Sequence, residues 1–163
     1  MNILALDLGA NCGWALVENG VVTSGVQVFD LKRGESPGMR WLRFDRWLED
    51  VATRADVVII EAVLGRFAKG QAQTFIASNF AGRVQSFCAS RSIEHTDVPG
   101  STLKRFITGK GNAAKPDMRT AAVARGLIPR EIADRAGEDE IDARCVLAYA
   151  LAEIVPASGV GRR

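Results

Sequence analysis

A single histidine, His95, serves a chain of 163 residues. That scarcity argues against a Ser-His-Asp or Cys-His catalytic set and against a His-ligated metal. Cysteine is nearly as scarce. Cys12, Cys88 and Cys145 are odd in number and far apart. They offer neither a zinc spacing nor a disulfide framework, so we expect a reducing, cytoplasmic setting. No apolar run approaches the roughly 20 residues that a membrane helix needs, and no membrane association is expected. The opening Met1-Asn2-Ile3-Leu4-Ala5-Leu6-Asp7 has no basic stretch and soon meets an acid, which is not the pattern of a signal peptide. Repeats, low-complexity tracts and linkers are also missing.

What is present is the balance of a soluble globular chain, 47% hydrophobic and 25% charged, which excludes a disordered or fibrous protein. The length suits one compact domain, expected over 1–155, with a flexible tail at 156–163. The net charge of +2 says little, but its distribution is uneven. Between Ser101 and Arg130 lie seven bases (Lys104, Arg105, Lys110, Lys115, Arg119, Arg125, Arg130) against Asp117 alone, a net of six positive charges. Glu138, Asp139, Glu140 and Asp142 follow, four acids in five residues. A basic segment points to a polyanion, and adjacent acids to a bound cation or a solvated helix start.

Residues 2–7 predict a buried strand, 9–13 a turn, 14–17 a second strand, Gly20 a turn and 21–29 a third strand. A loop over 30–38 leads to a helix over 39–54, with Trp41, Phe44, Trp47, Leu48 and Val51 at helical spacing. Asp56–Ala62 predicts a strand, 71–90 a helix and 93–98 another strand. Helices are then expected to 107, over 115–126 behind Pro116, and from about 137 to about 155. A mixed sheet flanked by helices follows. The first and fourth strands end near each other if they are parallel neighbours joined by a helical crossover.

Asp7 closes the first of these strands and Glu61 the fourth. An acid at such a place caps a turn, is solvated, or is paired or bound to a cation. Asp139 and Asp142, three apart, share one helix face. Asp7, Glu61, Asp139 and Asp142 together would supply oxygen ligands only, a set suited to Mg²⁺ or Mn²⁺ and not to Zn²⁺. Such a cluster can hold two ions that clamp the attacking and leaving oxygens of a phosphodiester. An acidic helix start meeting the dipole accounts for Glu138 and Asp139, and less well for Asp142.

These residues resemble the RuvC-type Holliday junction resolvases, within the RNase H-like nucleases. The resemblance rests on Leu4-Ala-Leu-Asp7-Leu-Gly9, on Val58-Ile-Ile-Glu61, and on Leu103-Lys104 with Thr108-Gly-Lys-Gly111-Asn-Ala-Ala-Lys115. Asp139-x-x-Asp142-Ala143 completes it. It implies an α/β, RNase H-like fold: a mixed central sheet with helices on both faces. It also implies a Mg²⁺-dependent endonuclease (Mn²⁺ substituting) that resolves four-way DNA junctions by paired symmetric cuts, leaving 5′-phosphate and 3′-hydroxyl ends. The implied metal-binding acids fall on Asp7, Glu61, Asp139 and Asp142, and the catalytic lysines on Lys104 and Lys115.

Lys115 precedes Pro116 and a helix start, where an ammonium and a helix N-terminus both attract phosphate. Arg66, Phe67, Lys69, Lys104, Arg105, Lys110, Lys115 and Arg119 are the expected DNA contacts. In the loop after Glu61 the family often carries an aromatic wedge where this chain has Leu64; the nearest aromatic is Phe67, which we expect to part the strands. The stretch 70–90 carries Arg83 as its one charge among Phe75, Phe80 and Phe87, a pattern of either core or homodimer interface. Rival readings are an RNase H-like nuclease for other branched DNA or for RNA, an actin-like ATPase fragment and a non-catalytic junction binder. The chain is short for the second, and the four acids speak against the third.

Overall fold

The computed structural model describes residues 1–63 and 70–154. Five strands make one mixed sheet, β1 (Ile3–Asp7), β2 (Asn11–Glu18), β3 (Val21–Val28), β4 (Val57–Glu61) and β5 (Glu94–Val98), in the order β3-β2-β1-β4-β5. β1, β2 and β3 form an antiparallel meander, whereas β4 runs parallel to both β1 and β5. The turn from β2 to β3 is Asn19-Gly20, both at positive φ (51° and 80°). That handedness matches the twist of a two-residue hairpin, and Asn-Gly is its commonest sequence.

The central strands explain their own sequences. Every residue of β1 is buried, and all of β4 except Glu61, as expected where both faces of a sheet are covered. On one face lie α1 (Gly38–Ala52) and α2 (Gln71–Arg91). Their apolar stripes meet Leu4, Leu6, Leu16, Val58 and Ile60 from the sheet. Phe44 and Phe80 stack at 3.8 Å between ring centres, with Phe29 edge-on to both at 5.3 Å, so the two helices and the end of the meander share one aromatic cluster. Against the other face pack α3 (Gly100–Thr108) and α6 (Glu138–Tyr149), over Ile3, Ala5, Ala15, Val57 and Ile59. A third apolar cluster, built on Ile107, Met118, Ile128, Ile141 and Cys145, fastens α4 (Lys115–Ala124) and α5 (Arg130–Arg135) to that layer. The expected α/β architecture with helices on both faces is the one observed.

Two features of the layout differ from the expectation. β2 starts at Asn11, not at Trp14, so Gly13 lies within a strand. A glycine in a strand often marks a close backbone approach, and a Cβ on Gly13 would stand 1.8 Å from the carbonyl oxygen of Asp139. The six-residue α5 was not anticipated; it is too short to show a helical period. The last helix changes to a π-helical turn at Ala150–Ile154. The expected tail at 156–163 lies outside the described residues.

Candidate functional site

The strand order settles the first question about the acids. β1 and β4 are parallel neighbours with Leu6 opposite Ile60, so Asp7 and Glu61, the next residue on each strand, end side by side at one edge of the sheet. α6 crosses that edge from the opposite layer. Its N-terminus is pressed against β2 at Gly13, which places Asp139 and Asp142 beside the strand ends.

The four carboxylates fall into two pairs, each against a buried thiol. Asp7, 2% exposed, and Asp139 line one cavity of about 150 Å³. Burial, then the charge of Asp7 and also that of Asp139, push the Cys12 thiol well up from its ordinary range. Burial raises the Cys145 thiol to about 12, with the charges of Asp142 and Glu61 adding to the shift. Both thiols are therefore neutral at physiological pH, and neither is a nucleophile. Glu61 leans over the start of α3, where a Cβ on Gly100 would stand 2.6 Å from its Oε1.

Asp142 is paired with Lys115, whose Nζ lies 2.8 Å from Oδ2 and 3.3 Å from Oε2 of Glu138. Although partial burial pulls the Lys115 ammonium down, the hydrogen bond and charge of Asp142, followed by those of Glu138, raise it overall. Lys115, Arg119, Thr120, Glu138 and Asp142 line a second cavity of about 320 Å³. Among the described residues, no three His, Cys, Asp or Glu side chains are gathered into one ligating group. The positive charge against Asp142 is that of Lys115. The four carboxylates are oxygen donors alone, the chemistry a hard divalent cation takes, but in this structure they are not drawn together as one ligand set.

The basic residues fare differently from one another. Lys104 is half-buried on α3, whereas Arg105 and Lys110 are exposed around Gly109. Arg119 donates to the carbonyls of Ala133 (2.5 Å) and Ala136 (3.1 Å), tying α4 to the end of α5. Arg125 hydrogen-bonds the Phe106 carbonyl and stands 5.0 Å over its ring. Leu64, Arg66, Phe67 and Lys69 lie outside the described residues.

Several residues at the site gave no signal in the sequence. Asn11 follows Asp7 by four positions, and Gln73 and Thr74 belong to the first turn of α2; all three line the Asp7 cavity. Only the tertiary fold brings α2 to the end of β1. Gly100 was likewise invisible as a site residue, because its part is to leave room for Glu61. Glu140 is turned away from the site: it is 6% exposed and accepts a hydrogen bond from Ser24 Oγ at 2.5 Å. Of the three aromatic residues on α2, Phe80 is core, Phe87 is partly buried and Phe75 is 62% exposed at the first turn.

The fold defined by this sheet and these helices is that of the RuvC-type, RNase H-like proteins. Thermus thermophilus RuvC superposes with a TM-score of 0.67 at 16% identity, covering 93% of this chain and 96% of that one. T. thermophilus RuvC in complex with a Holliday junction substrate gives 0.67 at 19% identity, covering 92% and 93%. The yeast mitochondrial Holliday junction resolvase Ydc2 gives 0.59 at 13% identity, covering 90% and 75%. No protein-family model and no curated protein sequence matches the chain. At these identities the likeness is one of fold.

Proposed function

We propose that the chain is a metal-dependent endonuclease for four-way DNA junctions. The observation that carries this reading is the side-by-side ending of Asp7 and Glu61 on parallel neighbours, with Asp139 and Asp142 delivered to the same edge by α6. The fold likeness supports it, since the similar structures include a yeast mitochondrial Holliday junction resolvase and RuvC bound to a Holliday junction substrate. Asp7, Glu61, Asp139 and Asp142 would hold Mg²⁺ or Mn²⁺, with Asp142 exchanging the Lys115 ammonium for the ion. A divalent cation there supplies Lewis-acid stabilisation of charge on the scissile phosphate.

The chain's own residues do the rest. Lys115, on release from Asp142, reaches the phosphate as a second source of positive charge, and Lys104 supports it from α3. Arg105 and Lys110, both exposed, hold the backbone of the arms, so affinity falls steeply with salt. Arg119 has two of its guanidinium nitrogens engaged within the fold, which leaves it less available than Arg105 and Lys110. A homodimer matches two cuts to two exchanging strands, and the α1–α2 layer offers exposed Phe75 and Leu42 for it. Phe67, ahead of Leu64, is our choice for the wedge.

Incubation with a labelled four-way junction, a linear duplex and an RNA–DNA hybrid, each with and without Mg²⁺, tests the proposal. Paired, Mg²⁺-dependent cuts in the junction alone are expected. Preferential cutting of the hybrid would move the reading to an RNA-directed nuclease of this fold, and an uncut junction would overturn it.

A further inference from the structure

Glu140 sits between two candidate ligands in the sequence and faces away from both in space. With 3.6 residues per turn, Asp139 and Asp142 lie about 60° apart on α6, while Glu140 is turned about 100° from Asp139 and about 160° from Asp142. Its carboxylate is 6% exposed and accepts from Ser24 Oγ of β3 at 2.5 Å; Arg144, 8% exposed, donates its Nε to the same hydroxyl at 2.6 Å. Arg144 Nε stands 3.9 Å and Arg135 of α5 3.8 Å from the Glu140 carboxylate. Two buried charges thus share one strand hydroxyl. Ser24 itself is fixed by the pairing of β3 with β2, opposite Ala15.

Burying an ion pair costs more in desolvation than it returns unless geometry is good, and apolar residues in its place are often as stable or more so. A buried pair retained on the helix that carries two site acids calls for another role. Gly13 fixes how closely α6 approaches the sheet, because a Cβ there would meet the Asp139 carbonyl. Close approach alone does not fix how α6 is turned about its own axis. We infer that Glu140, with Arg144 and Ser24, is a positioning group that sets the rotation of α6, so that Asp139 and Asp142 face the strand ends and Asp142 meets Lys115. The functional part of this inference rests on the nuclease reading; the geometric part does not.

The test removes the pair without opening a hole, in the double variant Glu140→Leu/Arg144→Met. Lys115 is then probed by limited acetylation and mass spectrometry, with exposed Lys32 and Lys110 as internal references. Melting within a few degrees of the parent is expected, with Lys115 acetylation up several-fold relative to the reference lysines. Junction cleavage should fall about tenfold at saturating protein, with junction affinity unchanged. A folded variant with parental Lys115 acetylation and parental cleavage would overturn the inference.

Should the double variant not fold, Ser24→Ala removes the shared hydroxyl alone and should still raise Lys115 acetylation two- to threefold. Glu140→Gln keeps an acceptor for Ser24 and should restore it to near the parental level. Unchanged acetylation in Ser24→Ala would count against the anchor. If the parent protein cuts no junction, the nuclease reading fails, and the acetylation pattern still decides on the anchor.

Discussion

Asp7 and Asp139 stand against one buried thiol, and Glu61 and Asp142 against another, yet the two pairs are held by different means. The first is set by backbone: Asp7 ends a fully buried strand, and Asp139 is placed by a helix start whose carbonyl closes on Gly13. The second also rests on the end of a buried strand and on the same helix, but its contacts run through movable side chains: Glu61 leans over Gly100, and Asp142 is drawn to Lys115 at 2.8 Å. Backbone contacts in a packed interior yield little, whereas a long carboxylate or ammonium side chain rearranges at small cost. The comparison predicts one rigid pair and one adjustable pair in the proposed cation site. In the proposed nuclease, the adjustable pair would be the one to trade the Lys115 ammonium for a cation.

The largest expected effect removes the charge of either pair and treats them as equals. Asp7→Asn, Glu61→Gln and Asp142→Asn should each lower junction cleavage at least about a hundredfold, the loss of some 3 kcal/mol of transition-state stabilisation. Junction affinity should hold or tighten, because a negative charge near phosphate has gone. Single-turnover cleavage beside a binding titration measures both. If one pair can be neutralised with more than about a tenth of the cleavage left, the two pairs do not serve one site.

The next effect separates the pairs by rigidity. In Gly13→Ala the new methyl group meets a backbone carbonyl at 1.8 Å, so strand and helix must part. We expect a stability loss of about 3 kcal/mol, read by urea unfolding, with cleavage falling in the material that still folds. In Gly100→Ala the methyl group meets the end of the Glu61 side chain at 2.6 Å. That carboxylate can swing aside, so stability should change by less than about 1 kcal/mol while cleavage drops about tenfold. Equal stability losses in the two variants would erase the distinction between the pairs.

The same contrast marks how much of the molecule was legible in its sequence. Val57-Val58-Ile59-Ile60-Glu61 reads directly, because a strand covered on both faces shows a continuous apolar run with its acid at the end. The helices expected over 39–54 and 71–90 read from their apolar period and are found at 38–52 and 71–91; the basic and acidic blocks read from simple counting. Gly13 did not read: Gly9, Asn11 and Gly13 together look like a turn, whereas Gly13 pairs with Asp7 and Val26 in the sheet and its lack of a side chain admits a helix from 126 positions away. Glu140 was indistinguishable from its acidic neighbours, since only the position of Ser24 shows which way it faces. The part of Gln73 and Thr74 in the Asp7 cavity depends on where α2 starts relative to β1, which local pattern does not encode.

The smallest expected effects belong to the two thiols, and they test whether either pair recruits sulfur. Cys12 and Cys145 are both buried and both neutral beside carboxylates, Cys145 raised to about 12 chiefly by burial. A hard cation prefers oxygen to sulfur, so the carboxylates and not the thiols are its expected ligands. Cys12→Ala and Cys145→Ala each delete one buried atom, so each should cost about 1 kcal/mol of stability. Mn²⁺ affinity, followed by electron paramagnetic resonance titration, should stay within about twofold of the parent, and cleavage likewise. The sign of the shift also fixes the pH behaviour. A thiol raised by burial is protonated in folded and unfolded chains below its ordinary pKa, so it contributes no pH dependence there; above that range the unfolded chain ionises first and stability declines. Denaturation midpoints taken at pH 7 and pH 10 should therefore differ less in the Cys12→Ala/Cys145→Ala protein than in the parent. A tenfold loss of Mn²⁺ affinity in Cys12→Ala alone would place sulfur in the Asp7–Asp139 pair and make the two halves of the site chemically, as well as mechanically, unlike.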